Sequence, residues 1–181
     1  MCGRFHLGFS NKETKKIIRD IPDEQQIQLR FGDIYPTSFA PILTAEESLA
    51  ARWGFERFDK KGVLINARAE TVTQKQTFRK SFLERRCLIP ASGFYEWDNE
   101  KNKFYFTRKD GNLLFLCGFY RIEDGEPRFM ILTTNATPPV EQHHDRIPVI
   151  ADDSIKHKYL TDMYFASDYI EKENQVKLQT I

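Results

Sequence analysis

At 181 residues the chain has the length of one globular domain. Hydrophobic residues make up 40% of it, with 15 Phe and 7 Tyr, enough to fill a core, and no apolar run approaches the roughly 20 residues of a membrane span. A formal net charge of +1 excludes a bulk electrostatic signature of nucleic-acid binding but leaves a local basic patch open, because only charge at the contact surface meets a phosphate. Cys2, Cys87 and Cys117 cannot all pair, and their spacing fits no zinc motif, so no metal is expected. The start of the chain lacks a basic segment followed by an apolar one, so a reducing, cytoplasmic setting without a secretory signal is expected.

Along the chain, Ser10-Asn11-Lys12-Glu13 has the spacing of a capping box, and the helix it opens should stop before Pro22. Ile27, Leu29 and Phe31 alternate, which predicts a strand. "RWGF" (52–55) and "VLINA" (63–67) read as short strands or strand ends. Residues 70–86 read as one helix, with Phe78 and Phe82 a turn apart, and "CLIPASGFYEW" (87–97) returns to extended chain. Arg79, Lys80, Arg85 and Arg86 form either a basic patch or an ordinary solvated face. Asp110-Gly111, between two β-rich runs, predicts a hairpin, and Asp124-Gly125 offers a second turn before "RFMILTTNA". "DSIKHKYLT" (153–161) predicts a short helix capped by Asp153 or Ser154. Residues 171–181 read as a polar, loosely held tail behind a domain over 1–170. Many strands joined by tight turns, with few helices, predict a single α+β domain whose mainly antiparallel sheet curls toward a barrel.

Four places carry chemistry. Cys2 follows Met1 directly. A cysteine there can be incidental, but once Met1 is removed it presents an α-amine and a thiol on adjacent carbons, with ordinary pKa values of about 8 and 8.5. The amine can form a Schiff base with a carbonyl, and the thiol can then close a five-membered ring. In "INARAET", Asn66, Arg68 and Glu70 alternate; they are either the polar end of a strand or an amide and a guanidinium aimed at one ligand. Glu96 stands among Phe94, Tyr95 and Trp97. It is either an outward-facing strand residue or a desolvated carboxyl with a pKa raised toward the range of a general acid. In "HHDRIP", adjacent His143 and His144 cannot share a metal from a regular strand; they are either loop residues or one is a proton shuttle.

Taken together these pieces resemble the SRAP family, named for SOS response-associated peptidases, whose animal members are known as abasic-site shield proteins. The matching stretches are the opening "MCGRF", Pro36-Thr37, "RWGF", "INARAET", "RCLIPASGFYEW", "TTNA" and "HDRIP", in the family's order and spanning residues 1 to about 150. Two stretches depart from the pattern: Ile147 replaces the motif's usual Met, and "DIYPTS" is a looser match to the Pro-Thr segment.

The resemblance implies that Met1 is removed and that Cys2 attacks the ring-opened aldehyde of an abasic site in single-stranded DNA. A thiazolidine DNA–protein crosslink then shields the lesion. It implies that Asn66, Glu96 and His144 line the site with Cys2, with His143 as second choice because the motif counts back from Arg146 and Pro148. Arg4, Arg52 and Arg68 are then candidate phosphate contacts, and Trp53 either stacks on a base or packs in the core. The expected partner is abasic single-stranded DNA, including strand junctions, met by a monomer with no cofactor and no membrane. The expected location is the cytoplasm, at the nucleoid when the protein is bound to DNA. Two other readings stay open. One is a cysteine peptidase acting mainly on the protein's own Met1–Cys2 bond. The other is a non-catalytic reader of modified or single-stranded DNA. A link to the SOS response rests on the resemblance alone.

Overall fold

The computed structural model describes residues 2–181. The elements, in chain order, begin with β1 (Arg4–Leu7), α1 (Lys12–Arg19), α2 (Asp23–Gln26), β2 (Gly32–Ile34), β3 (Phe39–Leu43) and β4 (Ser48–Trp53). Short strands β5 (Phe55–Glu56), β6 (Val63–Leu64) and β7 (Asn66–Arg68) lead to helices α3 (Ala69–Val72) and α4 (Gln76–Glu84). Then come β8 (Arg86–Ala91), β9 (Gly93–Trp97), β10 (Lys103–Arg108), β11 (Leu114–Glu123) and β12 (Glu126–Asn135). The chain ends with β13 (Arg146–Pro148), α5 (Lys156–Thr161), α6 (Met163–Tyr169) and β14 (Leu178–Thr180).

Two sheets carry the fold. Strands β11, β8, β3, β4 and β12 pair in that order, and a direct β11–β12 pairing closes the ring into a barrel, with β7 and β13 added on β12. The second sheet runs β14-β10-β9-β1-β2. Every pairing is antiparallel except β12 with β4 and β12 with β7. The expected mainly antiparallel, barrel-like α+β architecture is therefore the one observed.

Apolar burial explains this layering. Phe5, Leu7, Phe94 and Phe106 of the second sheet meet Trp53, Cys87, Ile89 and Ile131 of the barrel in one core. Leu88, Phe115, Phe119 and Met130 face a second core, closed by Phe78 and Phe82 of α4, Tyr159 of α5 and Ala166 of α6. Strand β8 is buried along its whole length because its alternating side chains enter both cores. The Asp124-Gly125 turn makes the β11–β12 hairpin: Glu123 pairs with Glu126, and the two turn residues have φ of 49° and 80°. Those angles are a two-residue turn of the kind that matches strand twist.

Several local expectations are corrected. The first helix is capped by Asn11, whose side chain accepts from the Glu13 and Thr14 amides, not by Ser10. Ile27 and Phe31 lie outside any strand, because Ile27 ends α2 and only Leu29 makes an isolated bridge, to Phe39. The helix over 70–86 is broken at 73–75 into α3 and α4, which turns Phe78 and Phe82 inward independently of Val72. Arg86 leaves the basic cluster: it is buried and donates to the carbonyls of Phe82, Leu83, Tyr159 and Leu160. Asp110-Gly111 is a crossover rather than a hairpin, since β10 and β11 belong to different sheets. Ile155, not Asp153 or Ser154, occupies the N-cap of α5, and Asp153 instead holds Arg108. The tail over 171–181 is docked: Val176 and Leu178 are buried and β14 pairs with β10.

Candidate active site

The site lies where β1 and β9 of the second sheet face β7 and the loop before β13 on the barrel. Phe5 pairs with Phe94 and Arg4 with Tyr95, which brings the start of the chain beside Glu96. Cys2 is fully buried. Its Sγ lies 3.6 Å from the Arg4 carbonyl, and its own carbonyl accepts a 2.8 Å hydrogen bond from Asn66 Nδ2. Asn66 opens β7, which runs parallel to β12 with Asn66 opposite Ile131. Its Oδ1 is buried without a hydrogen-bond partner among the described residues, an acceptor beside Cys2. Burial pushes the Cys2 thiol far above the usual thiol range, and the Glu96 charge adds to this, so the thiol is protonated at neutral pH.

Strand alternation at β9 turns Phe94 and Glu96 inward and leaves Tyr95 and Trp97 half-exposed. Glu96 is 1% exposed, so it is not the outward-facing residue of the alternative sequence reading. Burial raises its carboxyl to about 7, into the range where it can both give and take a proton near neutrality.

Of the two adjacent histidines, His144 faces this carboxyl, with Nε2 3.8 Å from Glu96 Oε2. Around His144 Nδ1 stand the Arg146 amide, a donor at 2.9 Å, and two acceptors, the Arg146 carbonyl at 3.2 Å and Asp145 Oδ1 at 3.1 Å, while Nε2 is turned toward Glu96. Burial lowers the His144 pKa and favours the neutral ring. His143 stacks on Phe104 with ring centroids 3.7 Å apart.

The candidate DNA contacts divide. Arg68 is exposed. The Arg4 guanidinium lies over the Tyr35 ring at 4.5 Å and the Trp97 ring at 5.0 Å, with its Nε unpaired among the described residues. Trp53 must be corrected: it is fully buried, stacks on Phe129 and donates from its indole to the Ile65 carbonyl, so it packs the core and cannot meet a base. Arg52 is held by Glu126 through two hydrogen bonds, of 2.6 and 2.8 Å, which neutralise its charge.

Glu70 is not on the Asn66–Arg68 face, because α3 begins at Ala69. It reaches Arg146 in a bidentate pair of 2.7 and 2.9 Å, and Arg146 also donates to Asn135 and the Thr133 carbonyl. Arg146 thereby fixes the strand that follows His144. Its place in "HDRIP" was legible, but nothing in the spacing indicates that Glu70 is its partner. Among the described residues no group of three or more His, Cys, Asp or Glu is arranged to hold a metal ion.

Both the sequence and the fold have counterparts among known proteins. Residues 1–178 match the family described as SOS response associated peptidase (SRAP), and the chain belongs to that family. Abasic site processing protein YoqW of Bacillus subtilis is 35% identical over 195 residues, covering 94% of this chain and 85% of YoqW. Abasic site processing protein YedK of Escherichia coli is 29% identical over 167 residues, covering 83% and 75% of the two chains. Abasic site processing protein HMCES of Xenopus tropicalis is 28% identical over 164 residues, covering 65% of this chain and 49% of that one. A crystal structure of a Bordetella bronchiseptica protein superposes with a TM-score of 0.80 at 23% identity, covering 99% and 98% of the two chains, which establishes the shared fold.

Proposed function

We propose that the protein processes abasic sites in single-stranded DNA by covalent capture through Cys2, after removal of Met1, which lies outside the described residues. The observation that carries this reading is the convergence on Cys2 of a fixed amide, Asn66, and a proton-transfer pair, Glu96 and His144. Relatives named abasic site processing proteins supply the substrate class.

The chemistry follows from the groups present. The Cys2 α-amine adds to C1′ of the ring-opened sugar aldehyde and forms a carbinolamine. Glu96, in its acid form, protonates the leaving hydroxyl, and water departs to give the iminium. The Cys2 Sγ then adds to the same carbon, its proton passing to the Glu96 carboxylate, and the thiazolidine closes. One aldehyde and one aminothiol are consumed, one water is released, and Glu96 returns to its starting state. A neutral thiol suits this order, because the amine acts first and the thiol is deprotonated only as it attacks. In this reading Asn66 Oδ1 accepts from the amine and the exposed Arg68 meets a phosphate.

The peptidase reading needs a Cys2 thiolate before its first step, and burial of the thiol opposes that. A non-catalytic reader needs no aldehyde. Incubation with matched oligonucleotides, with and without an abasic site, followed by a denaturing gel, separates these readings. A covalent shift is expected only with the abasic strand, and its absence with protein shown by intact mass to lack Met1 would end the capture reading.

A further inference from the structure

His143 is not used in the chemistry above, yet its ring is firmly placed. It stacks on Phe104 with centroids 3.7 Å apart and planes 26° apart, and it also touches Phe106 at 5.9 Å. Phe104 is the cross-strand partner of Glu96 in the β9–β10 pair. On the other side, the His143 and His144 amides both donate to the Val140 carbonyl at 2.9 Å, so the two histidines are anchored to one turn. Glu96 belongs to the second sheet, and the His144 loop leads into β13 of the barrel. Next to the site, the His143–Phe104 stack is a direct side-chain tie between these two bodies.

We infer that His143 is a positioning residue: its stack on Phe104 ties the His144 loop to the strand pair that carries Glu96, and so sets the separation of the two proton-transfer groups. What is required is a flat or apolar group covering Phe104. Leu or Phe at position 143 keeps that cover, whereas Ala removes it and lets the loop slide relative to β9. A shift of order 1 Å in a proton-transfer pair can cost about 10²-fold in rate.

The inference rests on the capture reading for its kinetic test and is independent of it for its structural one. The kinetic test is a crosslinking time course with an abasic single strand. His143→Ala is expected to slow capture by roughly tenfold, and His143→Phe or His143→Leu to stay within about twofold of wild type. In a Glu96→Gln background, His143→Ala should add little, because the pair it positions is already broken. The structural test is a ¹⁵N NMR pH titration of the His144 ring. His143→Ala should change its midpoint or tautomer signature, while His143→Phe should not, whether or not any DNA is captured. Thermal melting confirms that each variant is folded. Unchanged His144 signals and an unchanged rate in folded His143→Ala, or full additivity with Glu96→Gln, would overturn the inference.

Discussion

Glu96 and His144 stand 3.8 Å apart although one lies in the second sheet and the other in a loop of the barrel. The gap is longer than a hydrogen bond and short enough for a shared substrate proton to bridge. Burial favours the uncharged form of both groups, raising the carboxyl to about 7 and lowering the imidazole below its ordinary value.

Glu96→Gln keeps the shape and removes the acid. Capture should slow by about 10²–10⁴-fold yet approach completion on long incubation, because Glu96 is not part of the product. In wild type the acid-dependent step should weaken as pH rises through about 7, where the carboxyl loses its proton. A wild-type rate in the Gln variant removes Glu96 from the mechanism.

The same residue sets a stability trend. The folded protein binds the Glu96 proton more tightly than the unfolded chain, whose carboxyl has its ordinary value of 4.5, so stability should fall as pH rises from there to about 7. Glu96→Gln should therefore melt at a higher temperature than wild type at pH 8 and converge with it near pH 4. Parallel melting curves across that range would contradict the buried-acid assignment.

Cys2→Ala should abolish the heat-stable adduct, since ring closure needs the thiol. The free amine should still form an imine that borohydride traps, and weak DNA binding should persist. A heat-stable adduct formed by this variant without reductant would exclude the thiazolidine.

Arg68 and Arg52 should behave differently. Arg68→Ala should lower the log–log salt slope of single-strand binding by about 0.7, the share of one phosphate contact. Arg52→Ala should leave that slope unchanged and lower the melting temperature instead, because its partner is Glu126. Fluorescence anisotropy over a salt series, with thermal melting beside it, distinguishes the two; equal slope changes would return Arg52 to the DNA surface.

Trp53→Ala should cost about 3–5 kcal/mol of stability through a core cavity. The milder Trp53→Phe should bind DNA with the wild-type salt slope. A weakened affinity in folded Trp53→Phe would mean that the indole reaches DNA after all.

The sequence by itself determined the family and the α+β class and singled out Cys2, Asn66, Glu96 and His144 as candidates, because motif order and residue chemistry are local properties. It also located the Asp124-Gly125 hairpin, whose turn angles those two residues adopt readily. Tertiary structure decided the rest. Whether Glu96 faced inward depended on which side of β9 met the barrel, and alternation fixes only that its neighbours face the other way. Trp53 and Arg52 are adjacent in sequence and in one strand, yet one packs against Phe129 and the other pairs with Glu126. Asp110-Gly111 has the local chemistry of a hairpin and became a crossover because its flanking strands found partners in different sheets. The motif count put His144 ahead of His143, but their different surroundings arose only when Phe104 and Glu96, brought side by side by the β9–β10 register, each took one of them. In each case the deciding contact joined residues distant in sequence, and the free energy of burying apolar surface and pairing polar groups across that distance is absent from any local pattern.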